Sequence, residues 1–144
     1  MKKILIFMLF SISVFALNMD EFASQMGYQR DYNTAIELAK KENKPLMLVV
    51  STDYCPWCRK FERKTLKYSE VAIKVNKEFT AAVIDKRRDK GKYPSQYASP
   101  ITPAVFFINP HDGSTIAKSV GYIKKADYIE KLESVLYLFS DGDK

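Results

Sequence analysis

Cys55 and Cys58, the only cysteines among 144 residues, stand two residues apart in Ser51-Thr52-Asp53-Tyr54-Cys55-Pro56-Trp57-Cys58-Arg59-Lys60, where an apolar run gives way to a charged segment. Thiols at this spacing close a small disulfide with little backbone movement when the second lies in the first turn of a helix. Pro56 suits such a start, because its missing N–H would be unpaired there anyway. Cys55 then occupies the helix N-cap. Unpaired N–H groups and the positive end of the helix dipole favour thiolate over thiol, so Cys55 is expected to have a lowered pKa and to act as nucleophile, with Cys58 as the resolving thiol. A secreted domain with cysteines to spare for structural bridges scatters them; both being in one motif points to working chemistry rather than stapling.

The same spacing also serves metal sites. Structural zinc takes four ligands, and the chain offers two thiols and one histidine, His111, which stands among the turn residues Asn109, Pro110, Asp112 and Gly113. Copper(I), a soft ion satisfied by two thiolates, is the better metal alternative; it would make the protein a binding module, a copper or apo-protein chaperone, rather than an enzyme. Thiol–disulfide exchange needs neither metal nor cofactor. Asp53 is the carboxylate nearest the pair in sequence and is either a proton-transfer group or a solvated loop residue.

The elements that position the pair follow from periodicity. A short helix is expected around Asp20–Met26, and a second over Tyr32–Glu42, where Ala35, Ile36, Leu38 and Ala39 share a face and Thr34-x-x-Glu37 fits a capping box. Leu46–Val50 is an unbroken apolar run, as in a strand buried on both faces, and the dithiol loop leaves its C-terminal end, where chemistry gathers in open α/β sheets. A helix from Pro56 to about Leu66 puts Cys58, Phe61 and Thr65 on one side, and a further helix over Glu70–Lys77 leads to a second strand at Phe79–Ile84, parallel to the first. Lys86 to Lys92 holds five basic residues and reads as a mobile, solvated loop; it lacks the aromatic platform of a nucleic-acid site, and nucleic acid is not an expected partner. After a helical turn over Tyr93–Tyr97, Ala104–Ile108 is a third buried strand. The Asn109–Gly113 turn joins it to an antiparallel fourth over Ser114–Val120, and Gly121 releases the chain into a last helix bearing Ile129, Leu132, Val135, Leu136 and Phe139.

At 47% apolar residues the chain can build one core. Lys2 and Lys3 precede the apolar stretch Ile4–Leu17, and Val14-Phe15-Ala16 supplies the small residue for cleavage after Ala16, so residues 1–16 read as a signal peptide for export to the periplasm. About fourteen apolar residues fall short of the roughly twenty that span a bilayer, which leaves an uncleaved, tilted anchor as the alternative. Removing residues 1–16 takes away two of 23 basic residues and none of the 17 acids, so the net charge falls from +6 to +4. The expected organisation is 1–16 signal peptide, 17–30 N-terminal extension, 31–139 the domain, 140–144 a frayed tail.

This order of elements resembles the thioredoxin fold over roughly residues 31–139. Lys44-Pro45-Leu46-Met47-Leu48-Val49 ahead of Asp53-Tyr54-Cys55-Pro56-Trp57-Cys58 is similar to exported thioredoxin-like domains, including the C-terminal domain of the bacterial transmembrane electron transporter. Ile101-Thr102-Pro103 resembles the family's cis-proline loop, and Val120-Gly121-Tyr122 its glycine before the last helix. The resemblance implies an α/β, thioredoxin-like fold: a four-stranded mixed sheet flanked by helices, in spatial order 79–84, 46–50, 104–108, 114–120, with a parallel pair, a C-terminal antiparallel hairpin, and the last strand antiparallel. It also implies a monomeric thiol–disulfide oxidoreductase acting on protein thiols and disulfides, with a membrane or soluble redox partner. Cys55 and Cys58 would be catalytic, a cis bond would precede Pro103, and Trp57, Thr102 and Pro103 would hold substrate. One departure is Val49, where thioredoxins carry a buried acid that helps deprotonate the resolving thiol; the acceptor for Cys58 is therefore unassigned. Pro56-Trp57 resembles glutaredoxins and the periplasmic oxidant rather than the Gly-Pro of thioredoxins, so the potential is expected to be less negative than thioredoxin's roughly −270 mV, with reduction or isomerisation the expected direction.

Overall fold

The computed structural model describes residues 18–142. The expected signal peptide and its cleavage point lie outside them, as do residues 143–144. Helix α1 (Met19–Met26) is capped by Asn18, whose side chain accepts from Glu21 N–H, and ends at Gly27 in the left-handed region (φ 72°). Met19, Phe22, Ala23 and Met26 are buried, so this segment packs into the core. Helix α2 (Tyr32–Glu42) starts two residues before the expected capping box. Asp31 is the N-cap, accepting from Thr34 N–H at 2.7 Å, and Glu37 pairs instead with Lys40 at 2.8 Å.

Strand β1 (Leu46–Ser51) is buried at every residue. Next come α3 (Pro56–Phe61), a wider π turn (Glu62–Leu66), α4 (Ser69–Glu78), β2 (Thr80–Asp85), a 3-10 turn (Ser95–Tyr97), β3 (Ala104–Ile108), β4 (Thr115–Val120) and α5 (Lys125–Gly142). The sheet order is β2-β1-β3-β4, with β1 parallel to β2 and β3 antiparallel to both β1 and β4. This corrects one expectation: β3, not the last strand, runs against the other three. An apolar run reads the same in either direction. The chain leaves β2 at Asp85, opposite Ser51, and re-enters at Ala104, opposite Val50, so it returns to the same end of the sheet that it left and must run back.

Alternation along the strands builds two cores. Met47, Val49, Val83, Val105 and Phe107 face α1, α4, α5 and the end of α3; Leu46, Leu48, Val50, Ile84 and Phe106 face α2 and Tyr97. Full burial of each such side chain contributes about 1.5–3 kcal/mol, so both faces hold β1 in place beneath the dithiol. Two further expectations are corrected. The helix α5 continues to Gly142 rather than fraying from residue 140. The 86–92 loop is tied rather than loose: Asp85 accepts from the N–H groups of Arg87 and Arg88, buried Asp89 accepts from Asp85 N–H, and Arg30 pairs with Asp89 at 3.1 Å. No helix among the described residues is long and apolar enough to cross a membrane.

Candidate active site

Three loops meet at one end of the sheet: 52–55 after β1, 86–103 between β2 and β3, and 121–124 after β4. Cys55 is the N-cap of α3 with extended backbone, its sulfur accepting from Cys58 N–H at 3.1 Å, and Pro56 follows as the first helical residue. Cys55 is half-buried and Cys58 is 1% exposed. The two are joined as a disulfide with Cα atoms 5.1 Å apart. The Thr102 hydroxyl donates to Cys55 Sγ at 3.4 Å, the Thr102 carbonyl oxygen lies 3.5 Å from the same sulfur, and the Thr102–Pro103 bond is cis. Pro103 is buried, and its carbonyl accepts from Gly121 N–H at 2.7 Å, which fastens this loop to the end of β4.

Around the sulfurs the surface is apolar. Trp57, 55% exposed, packs against Tyr122 with ring centroids 6.0 Å apart, and the Lys60 ammonium sits 4.7 Å from both rings. Trp57, Ile101, Thr102, Gly121 and Tyr122 line a concavity of about 380 Å³ beside the dithiol.

The remaining sequence candidates stand elsewhere. The Asp53 carboxylate accepts from Met19 N–H at 3.2 Å and lies 3.6 Å from Arg88, while Asp53 N–H donates to Asp85 at 3.3 Å; this carboxylate is engaged with the start of α1 and the basic loop. His111 bonds Asn43 at 2.8 Å in the turn after β3, at the opposite end of the sheet from Cys55, so it cannot join the two thiols around one ion. No group of three or more histidine, cysteine or acidic residues among the described residues is placed to hold a metal. Val49 packs into the apolar core.

One residue escaped the sequence reading. Glu62 is one helical turn beyond Cys58, its backbone N–H donating to the Cys58 carbonyl, and its side chain is buried against Arg59, whose guanidinium lies 2.8 Å away. Burial pushes its carboxyl up to about 7, against the pull of Arg59 and Lys67 and with help from the negative charge of Asp53. The signal was available: the face carrying Cys58, Phe61 and Thr65 also carries position 62, an acid in a buried stripe.

A thioredoxin-like domain family matches residues 32–136, most of the chain. The protein belongs to the thioredoxin-like family. Among solved structures, a Thermus thermophilus thioredoxin superposes with TM-score 0.67 at 22% identity, covering 75% of this chain and 85% of its own, which speaks to the fold alone. A DsbH oxidoreductase gives 0.63 at 25% identity, covering 76% and 84%. The reduced DsbD C-terminal domain of Neisseria meningitidis gives 0.59 at 29% identity, covering 70% and 90%. The curated relative spermatogenesis-associated protein 20 of Rattus norvegicus is 35% identical over 52 residues, 36% of this chain, and the match spans only 7% of that protein's length. A thioredoxin-like fold bearing a disulfide-bonded Cys-x-x-Cys at a helix start is consistent with thiol–disulfide exchange.

Proposed function

We propose that the protein is an exported, periplasmic thiol–disulfide oxidoreductase that acts on cysteines of other proteins, as a reductase or isomerase. The observation that carries this reading is the asymmetry of the pair: a half-buried Cys55, whose sulfur caps a helix and accepts from Thr102, against a fully buried Cys58. In the reducing direction the Cys55 thiolate attacks one sulfur of a substrate disulfide; that S–S bond breaks, one substrate thiolate leaves and takes a proton, and a mixed disulfide remains. Cys58 gives up its proton and attacks the Cys55 sulfur, closing the Cys55–Cys58 disulfide and releasing the second substrate thiolate. The dithiol has then supplied two electrons, and a membrane or soluble redox partner must return them. Glu62, buried one turn from Cys58 and with a carboxyl that titrates near neutrality, takes the Cys58 proton in place of the acid that Val49 replaces. Trp57, Ile101 and Tyr122 offer an apolar seat for substrate, and the backbone of Thr102 beside cis-Pro103 pairs with an extended substrate segment as an added strand.

Insulin reduction by the reduced protein tests the activity, and Cys58→Ser tests the roles. With dithiothreitol supplied as the regenerating reductant we expect turnover by the unsubstituted protein and none by Cys55→Ser, and without it accumulation of mixed disulfides on Cys55 in Cys58→Ser. No insulin turnover, together with copper bound to anaerobically purified protein, would instead make the dithiol a ligand pair.

A further inference from the structure

The basic loop after β2 is not spent on the fold alone. Of its five cations, Arg88 pairs with Asp20 and approaches Asp53 and Asp85, and Lys92 pairs with Asp89. The loop's own acids face inward, where Asp85 and Asp89 accept backbone N–H groups and meet Arg30 and Arg88. Lys86, Arg87 and Lys90 remain outward. With Tyr93, Ala98 and Ser99 they line a concavity of about 420 Å³, and among the described residues no carboxylate pairs with any of the three. Lys86 donates one N–H to the Pro100 carbonyl at 2.7 Å and keeps two for a ligand. Three like charges held together by a backbone anchored from beneath make a preorganised site for anionic groups.

Its place on the molecule indicates whose anions. Lys86 N–H donates to Ser51 at the end of β1, and the Lys86 ammonium grips the segment that runs on to Thr102 beside Cys55. Ser99, in the wall of the concavity, is three residues from Thr102, at most about 10 Å of chain. A substrate lying along this segment with its cysteine at Cys55 would have the apolar Trp57–Tyr122 seat on one flank and the cationic concavity on the other. We propose that Lys86, Arg87 and Lys90 form a recognition subsite for acidic side chains three or four residues from the target cysteine of a protein partner. This rests on the oxidoreductase reading and adds a substrate preference to it.

The test uses peptides joined to 2-mercaptoethanol by a disulfide, with Asp and Glu, or Ser and Gln, at the third and fourth positions on either side of the cysteine. The reduced protein delivers two electrons to each, releasing peptide thiol and mercaptoethanol as the Cys55–Cys58 disulfide forms. Two exposed ion pairs of ordinary strength correspond to about a fivefold preference in the second-order rate constant for oxidation of the reduced protein by a peptide with an acidic flank on one side, falling toward one at high ionic strength. The ratio should also fall to about one in the double variant Arg87→Glu/Lys90→Glu, and stay near fivefold in Lys41→Glu, an exposed α2 residue. A ratio of one in the unsubstituted protein, or an equal loss in Lys41→Glu, overturns the subsite. If neither peptide is reduced, the oxidoreductase reading fails separately. The same peptides with Ser for Cys then read the surface through NMR shifts: changes confined to residues 86–99 and to the acidic peptide support the subsite, and their absence overturns it. Shifts there with phosphatidylglycerol vesicles and not with the acidic peptide would assign the patch to a membrane and likewise overturn the proposal.

Discussion

Replacing Glu62 by Gln removes a buried carboxyl and keeps its shape, which makes the cost of that carboxyl measurable as a pH dependence. In the unfolded chain Glu62 titrates at its ordinary 4.5, and in the folded protein burial raises this to about 7. Between these values the unfolded state has lost the proton while the native state keeps it, so the native state binds more protons and stability falls as pH rises. At 1.36 kcal/mol per pH unit the rise from 4.5 to about 7 amounts to about 3 kcal/mol, fully expressed above pH 7 and absent below 4.5. The side chain is only 7% exposed, so solvent screening trims this little. The window is clear of the other shifted groups. Asp20, Asp31, Asp85 and Asp112 are held below their ordinary 3.8, so what they contribute is present above that value and lost only on further acidification. Tyr28, Tyr32 and Tyr128 are raised above 10 by burial. Urea unfolding of the oxidised protein at a series of pH values should therefore show Glu62→Gln gaining about 3 kcal/mol on the unsubstituted protein between pH 4.5 and 8. Whatever constant offset the lost Arg59 pair adds does not alter that slope. A difference independent of pH would refute the buried, near-neutral carboxyl and with it the assignment of Glu62 as proton acceptor.

Two further outcomes follow from named contacts. Thr102→Val removes the hydroxyl that donates to Cys55 Sγ; at about 1 kcal/mol for the bond, the Cys55 thiol pKa in the reduced protein should rise by about half a unit or more, read from the pH dependence of iodoacetamide alkylation, and an unchanged profile would show that the hydroxyl does not reach the thiolate. Asp85→Ala strips the buried acceptor from the N–H groups of Arg87, Arg88 and Asp53; we expect a loss of about 3 kcal/mol in urea unfolding, and a loss below about 1 kcal/mol would mean that water takes over these donors.

The parts legible in the sequence are those written in local pattern. Leu46–Val50 and Ala104–Ile108 are continuous apolar runs because both faces of the sheet are covered, and the dithiol motif combines a cap residue, a proline at the first helical position and a second thiol one turn on. The π turn at Glu62–Leu66 left no such trace, because its side chains are those of an ordinary amphipathic helix. The direction of β3 depends on where residues 86–103 travel, which a strand's composition does not record. Glu62 was hidden by a rule of thumb: acids on helices usually face water, and the exception shows only when the apolar neighbours on its own face are counted.

Distance along the chain hid the rest. Arg88 meets Asp20 across 68 residues and Arg30 meets Asp89 across 59, so charges that read as a solvated loop and a weak N-terminal helix are partners. Asp53 is where they converge. Two residues before Cys55, it is bound by the first N–H of α1, by the Arg88 guanidinium and, through its own N–H, by Asp85. Surface ion pairs are individually weak, but these close a ring around a loop that Arg59 also ties, by donating to the Thr52 carbonyl at 3.2 Å, and in which Tyr54, the residue after Asp53, is 90% exposed. The backbone that presents Cys55 is thus held on one side by the start of α3 and on the other by two segments the dithiol motif does not contain. In this chain residues 19–26 belong to the machinery that positions Cys55 as much as to the core they fill.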